Sequence, residues 1–260
     1  MGTIGDASAG DILARHLGNF TQLRPEEKAA IGAAVAGPTR LANARRDLIS
    51  EGSPPRGVIL ILSGWACRYK TLEDGRRQIV ALLLPGDMCD LHNAVIARMD
   101  HSIGALTAIR FAELSNDLLH RLSAEHPRIG QALWWQMLVN IATQREWTMN
   151  IGQRSAAERI GSLFCELMLR LRAVGLASGN SFEFPLTQTN IAEATGLTSV
   201  HVNRTVQQMR AAGLISLSGK VLTIPDFAKL QVASLFTPDY LHLGEENERG
   251  ARPVWTGTGK

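Results

Sequence analysis

Residues 186–224 read LTQTNIAEATGLTSVHVNRTVQQMRAAGLISLSGKVLTI, which is two short helical patterns, a glycine turn and an alternating hairpin in succession. Thr187 is placed to cap a first helix with Ile191 and Ala194 inward, Gly196 supplies the turn, and Thr198 caps a second helix with Val202, Val206 and Met209 inward. The opposite face of that second helix carries Ser199, Val200, His201, Asn203, Arg204 and Gln207. These side chains are short or hydrogen-bonding, where a solvated face would carry Glu and Lys, and they suit base edges in a major groove. After Gly213 the residues Leu214, Ile215 and Leu217, a turn at Ser218-Gly219-Lys220, and Val221, Leu222 and Ile224 predict a hairpin. The order is that of a winged helix-turn-helix and points to double-stranded DNA; a generic helical subdomain with a hairpin is the competing reading. Within it Ser199, Val200, His201, Asn203 and Arg204 are the expected base readers. Thr187, Gln188, Thr198, Gln207 and Lys220 are the expected backbone contacts, placed by helix amino termini and the wing.

The 260 residues, 45% of them hydrophobic, suffice for two domains and tails. A formal net charge of +3 is compatible with nucleic acid without arguing for it. Around the reader, over residues 181–235, Arg204, Arg210, Lys220 and Lys229 exceed Glu183, Glu193 and Asp226 by one, so grip must come from local placement and repetition in a second copy. With no apolar run of spanning length and no basic-then-apolar amino terminus, neither membrane nor secretory route is expected, and the location expected is cytoplasmic. Cys67, Cys89 and Cys165 lack C-x-x-C spacing and read as reduced core thiols. No phosphate loop, metal-spaced cluster or nucleophile elbow is present, so no catalytic residue, metal site or enzyme activity is expected.

Upstream, Gly52, Gly64, Gly75 and Gly86 punctuate the runs VILILSG, WACRYKTL and QIVALLLPGD, giving strands of seven to eight residues in an antiparallel barrel. Residues 1–10 read as frayed. Residues 127–154 form an uninterrupted helical pattern that either spans two domains as a strut or pairs with its own copy. Leu133, Met137, Asn140, Ile141 and Gln144 are the expected seam, with Trp134, Trp135 and Trp147 as packing residues. Ser155-Ala156-Ala157-Glu158 is a capping box that starts another helix, which makes residues 152–155 a candidate hinge. The expected fold is α+β: a sensor jelly roll over 15–126, a long dimerisation helix over 127–154, a winged reader over 155–237 and a disordered tail over 238–260.

Together these elements, and above all DLISEGSPPRGVILILSGWACRYK, LLPGDMCDL and TNIAEATGLTSVHVNRTVQQMRAAGLI, resemble the Crp/Fnr superfamily of bacterial transcription regulators over about residues 15–235. The resemblance implies a homodimer on a palindromic operator, with RNA polymerase as a further partner. Where cyclic-nucleotide-binding members carry Gly-Glu and Arg-Ser pairs, this chain carries Cys89-Asp90 and His101-Ser102. Asp90, His101 and Ser102 are thus the candidate effector pocket, without the cationic fork that clamps a phosphate, and cyclic AMP is not expected. Residues 1–40 hold no cysteine for an iron-sulfur sensor, and His92 and His101 read as loop residues rather than haem ligands. No cofactor is expected; a small effector of unspecified chemistry stays open, as does FixK-like action without one. In the reader, Arg204 occupies the family's guanine-reading place while Val200 replaces its Glu, so the operator is expected to depart from familiar half-sites. The alternative is a small-molecule sensor acting mainly through protein contacts.

Overall fold

The computed structural model describes residues 8–91 and 93–243. Helix α1 (Ala9–Leu17) is capped by Ser8, whose hydroxyl accepts from the Asp11 amide, and packs on α2 (Pro25–Ala34). A Cβ on Gly10 would stand 2.6 Å from the Gly32 Cα, so only glycine permits this approach. Residues 8–10, expected to fray, are therefore helix and cap; 1–7 lie outside the described residues.

Strands β1 (Thr39–Ala42), β2 (Asp47–Ile49), β3 (Val58–Ser63), β4 (Ala66–Thr71), β5 (Arg77–Leu83), β6 (Met88–Cys89), β7 (Ser102–Ala105) and β8 (Ile109–Leu114) form two antiparallel sheets, ordered β1-β8-β3-β6 and β2-β7-β4-β5. Only β3, β4, β5 and β8 reach six or seven residues, so the expected even lengths do not hold. The unbroken apolar run of β3 is explained by burial on both faces. Ile59 and Ile61 point between the sheets with Ile103 and Phe111, while Val58, Leu60 and Leu62 point outward onto α1, α2 and the helices that follow. Gly64 turns β3 into β4 at φ +78°, where a Cβ would collide with the Ala108 carbonyl.

Helix α3 (Asn116–Glu125) leads to α4 (Pro127–Gln153), 27 residues long, begun by proline in its first turn and ended by the extended backbone of Arg154. The Ser155–Glu158 capping box opens α5 (Ala156–Ala173). Then come β9 (Ala177–Ser178), β10 (Ser181–Glu183), α6 (Gln188–Thr195), α7 (Ser199–Ala211), β11 (Ser216–Ser218), β12 (Val221–Thr223) and α8 (Phe227–Ala233), with a sheet ordered β11-β12-β10-β9. The outer face of the second barrel sheet, Trp65, Cys67, Ile79, Leu82 and Leu84, shares one core with Phe164, Phe182, Phe184, Ile191 and Val202. Each such side chain contributes about 1.5–3 kcal/mol on burial, so barrel and reader are held together by far more than the chain that joins them.

Residues 238–243, expected to open a disordered tail, are placed: Leu241 is buried, and the Tyr240 hydroxyl donates to Glu166 Oε2 at 2.8 Å. A buried anchor and a charge-assisted hydrogen bond suffice to hold this segment. Residues 244–260, the rest of that expectation, lie outside the described residues.

Candidate nucleic-acid interface

The reader is built from local signals. Thr187 caps α6, its hydroxyl accepting from the Asn190 amide (3.1 Å) and donating to Asn190 Oδ1 (2.8 Å); Gly196 ends the helix in the left-handed region at φ +66°. Thr198 caps α7 by accepting from the His201 amide at 3.2 Å. Ile191, Ala194, Val202, Val206 and Met209 are buried, as the spacing predicts. The other face of α7 is bare. Val200 is 81% exposed, Asn203, Arg204 and Gln207 are exposed, and Ser199 and His201 are half-buried. Among the described residues the Arg204 guanidinium makes no hydrogen bond or ion pair, so both prongs of its fork face solvent. Gln207 accepts from Arg210 Nη1 at 3.3 Å, and Gln188 is exposed. Lys220 stands at the wing tip, where Gly219 (φ +55°) and Lys220 (φ +63°) form the two-residue turn that suits a twisted hairpin. Thr198 retains a hydroxyl proton for a phosphate, whereas Thr187 has committed both donor and acceptor to its own cap.

Negative charge is turned away from this face. Glu193 sits on the back of α6, where Arg77 of β5 approaches its carboxylate at 3.8 Å, stacks 3.7 Å from the Tyr69 ring centroid and donates to Cys67 Sγ at 3.2 Å. Burial pushes the Glu193 carboxyl up, partly offset by Arg77, and pushes the Cys67 thiol up to about 11. Burial likewise raises Cys165 to about 12 and Cys89 still further, so all three free thiols are poor nucleophiles.

Residues 152–155, the expected hinge, are tied down by a side chain that sequence reasoning passed over. Arg154 is 6% exposed; its Nη1 donates to Glu146, Asn150 and Ser162, and its Nη2 to the Leu235 carbonyl at 2.6 Å. Arg159 continues the chain of contacts, donating through Nε to the Arg154 carbonyl and through Nη1 to the Thr195 carbonyl beside the reader's turn. The end of α4 is thus connected to the end of α6, beside the reader's turn, by two guanidinium groups.

The outward face of α4 differs from the expected seam. Leu133 is buried against its own barrel, Met137 and Asn140 are half-buried, and Gln144 Nε2 donates to the Val80 carbonyl at 2.6 Å. Of the expected set, Ile141 alone lies among the exposed large hydrophobics, with Trp134, Leu138 and Met149 beside it. Trp134, Leu138 and Ile141 recur at steps of four and three, the spacing of a coiled-coil seam. Trp147, expected to pack, is buried and donates to Glu166 Oε2 at 2.9 Å.

The structure brings the candidate effector residues together with a partner the sequence reading missed. Asp90, at φ +59°, accepts from Arg68 Nε at 3.0 Å and faces His101 Nε2 at 3.1 Å; His101 Nδ1 meets Asp100 at 2.8 Å, and Ser102 Oγ accepts from the Glu51 amide. Burial would lower His101, but two carboxylates outweigh it and raise its pKa; imidazolium is the form that donates from both nitrogens. Burial would raise Asp90, and His101 with Arg68 outweighs it downward. His101, which stands at the expected Arg-Ser place, is already engaged by two carboxylates of its own chain, Asp90 and Asp100. His92 lies outside the described residues.

A jelly roll, a long helix and a winged reader in one chain define a class: DNA-binding regulators that couple a sensor barrel to a helix-turn-helix. A Crp-like helix-turn-helix domain matches residues 158–233, and a cyclic nucleotide-binding domain matches residues 40–126. The transcriptional activator protein FnrL of Cereibacter sphaeroides is 31% identical over 195 residues, 74% of this chain and 78% of FnrL. The nitrogen fixation regulation protein FixK of Azorhizobium caulinodans is 26% identical over 189 residues, 73% of this chain and 75% of FixK. In fold, FixK2 from Bradyrhizobium japonicum superposes with a TM-score of 0.66 at 22% identity, over 75% of this chain and 96% of that one. The chain belongs to the Crp/Fnr family of transcription regulators. Its relatives are regulators rather than enzymes, and no helix among the described residues is long and apolar enough to cross a membrane.

Proposed function

We propose that this regulator works in the cytoplasm as a homodimer on a palindromic operator, with the α7 helices of the two copies in successive major grooves and RNA polymerase as the partner at the promoter. The observation that carries the proposal is the exposed stripe of α4, where Leu138 (58%) and Ile141 (44%) stand in solvent at seam spacing, one turn on from the partly exposed Trp134 (57%). One copy leaves that face in water; two copies cover it and repeat the reader's single excess charge, which raises electrostatic grip on the duplex. Arg204 reads guanine and Val200 packs on a thymine methyl, with His201 and Asn203 free to bond a purine or a phosphate. Cyclic AMP is not the effector, since His101 stands where the phosphate-binding Arg would and is already engaged by Asp90 and Asp100. FixK-like action without a bound cofactor accords with that. The test is selection of bound sequences from random duplex DNA at fixed, near-physiological salt, with the mass of the complex measured. A palindrome held by two chains is expected; a single chain on an asymmetric site, or no enrichment with and without cell extract, would overturn the proposal.

A further inference from the structure

β1 and β2 are the edge strands of the two barrel sheets, and the seam between them stands open on a recess of about 510 Å³. That volume lies within the range of small-molecule sites, and barrel mouths are among the places where such sites form. The recess does not involve Asp90, His101 or Ser102, whose network belongs to the β6–β7 side of the barrel. Its floor is Ile49, Ile59 and Phe111, which belong to the core between the sheets. Its rim carries Arg40, Arg46 and Arg56.

The rim is electrostatically unbalanced. Arg40 is paired with Glu113 at 2.8 Å, and Asp47 accepts from the Tyr69 hydroxyl at 2.7 Å. Neither Arg46 nor Arg56 has a side-chain partner among the described residues. Both are nevertheless carried on fixed backbone. Arg45 takes a left-handed φ of +68°, unusual for a residue with a side chain, and its amide donates to the Ala105 carbonyl at 2.8 Å while Arg46 returns a carbonyl to the Ala105 amide at 2.9 Å. Arg56 stands between Pro55 and Gly57, and the buried Asn93 amide group holds the Gly57 carbonyl at 2.7 Å. Backbone held in a sparsely populated conformation marks a position that the surrounding structure has fixed.

Two unpaired guanidinium groups over an aliphatic and aromatic floor call for a ligand with one anionic head and an apolar body. We propose that the β1–β2 mouth binds a small amphipathic monocarboxylate, the carboxylate taken by Arg46 and Arg56 and the apolar body laid on Ile49, Ile59 and Phe111. A guanidinium fork matches a carboxylate in two parallel hydrogen bonds, and the floor removes the chain from water. The site is independent of how the reader meets DNA.

The test is calorimetric titration of the full-length protein with octanoate, in parallel with 1-octanol and with an R46Q/R56Q variant. Both arginines are exposed, so the variant leaves the core intact, and the octanol arm needs no variant at all. Octanoate is expected to bind at one site per chain, with octanol and the double variant each weaker by about tenfold or more. Absence of octanoate binding, equal affinity for octanol, or octanoate affinity unchanged in R46Q/R56Q would each overturn the proposal.

Discussion

Replacing Glu166 should be among the most damaging single changes in this protein, and the structure says by how much. Glu166 sits on α5 at 2% exposure, accepting from Trp147 Nε1 (2.9 Å), the Tyr240 hydroxyl (2.8 Å) and Arg170 Nη1 (3.0 Å). Arg170 in turn reaches the sensor through Asp87 Oδ2 (2.6 Å) and the Leu82 carbonyl (3.0 Å). Hydrogen bonds to a charged group contribute roughly 1.5–3 kcal/mol each, less than additively when they share an acceptor. In E166Q the amide oxygen can serve Trp147 and Tyr240, but its NH2 then faces the Arg170 donor, so one interaction becomes a donor–donor contact in a buried place. Both E166Q and E166A should therefore cost about 3–5 kcal/mol, the loss typical of removing one partner from a buried ion pair. Urea denaturation at one fixed protein concentration measures it, because association would otherwise shift the midpoint. A cost for E166Q below about 1 kcal/mol with an unchanged m value would show that the carboxylate's desolvation cancels its hydrogen bonds, and the reasoning would fail.

Three further outcomes are expected. Arg204→Ala should cost about 1–3 kcal/mol at one guanine per half-site, measured by gel shift against single-base operator variants; equal loss on every sequence would remove Arg204 from base reading. Leu138→Glu, at an exposed position, should leave the fold intact and convert the proposed dimer to monomer in sedimentation, and a persisting dimer would locate the seam elsewhere. The pH dependence follows from His101: its pKa is raised on folding, so its contribution is complete below the ordinary 6.5 and is lost as pH rises through the higher folded value. Melting across that window should show stability falling with pH, at no more than about 1.4 kcal/mol per pH unit for one proton, and His101→Gln should flatten the curve. An identical slope in the variant would assign the titration to another group.

The reader was legible because its signals are local: two Thr caps, a left-handed glycine and a two-residue turn act within a few positions, whatever surrounds them. The long helix was legible as a helix but not in its orientation. Leu133 and Trp147 on its inner sides and Leu138 on its outer side are all apolar, so periodicity cannot say which face meets the barrel and which meets solvent. Helices α1 and α2 bury Leu13, Leu17 and Ile31 on the barrel, but their mutual approach, Gly10 against Gly32, is between residues that carry no hydrophobic signal. Arg68 gave no signal of a partner, since β4 reads ACRYKT and carries Lys70 as well; only the fold shows Arg68 turned inward onto Asp90. Tyr240 and Leu241 were hidden by the polar composition of the residues after them.

The core that runs from Trp65, Ile79 and Leu82 into Phe164, Phe184 and Val202 bears on how such a chain can be cut and recombined. The boundary at residue 155 invites the construction of chimaeras, with this reader placed behind a foreign sensor or the reverse. Each half on its own would carry an apolar face onto its surface, open to aggregation. A transplanted reader must bring the matching face of its barrel with it, so in this chain the unit that can be exchanged is larger than the unit that touches DNA.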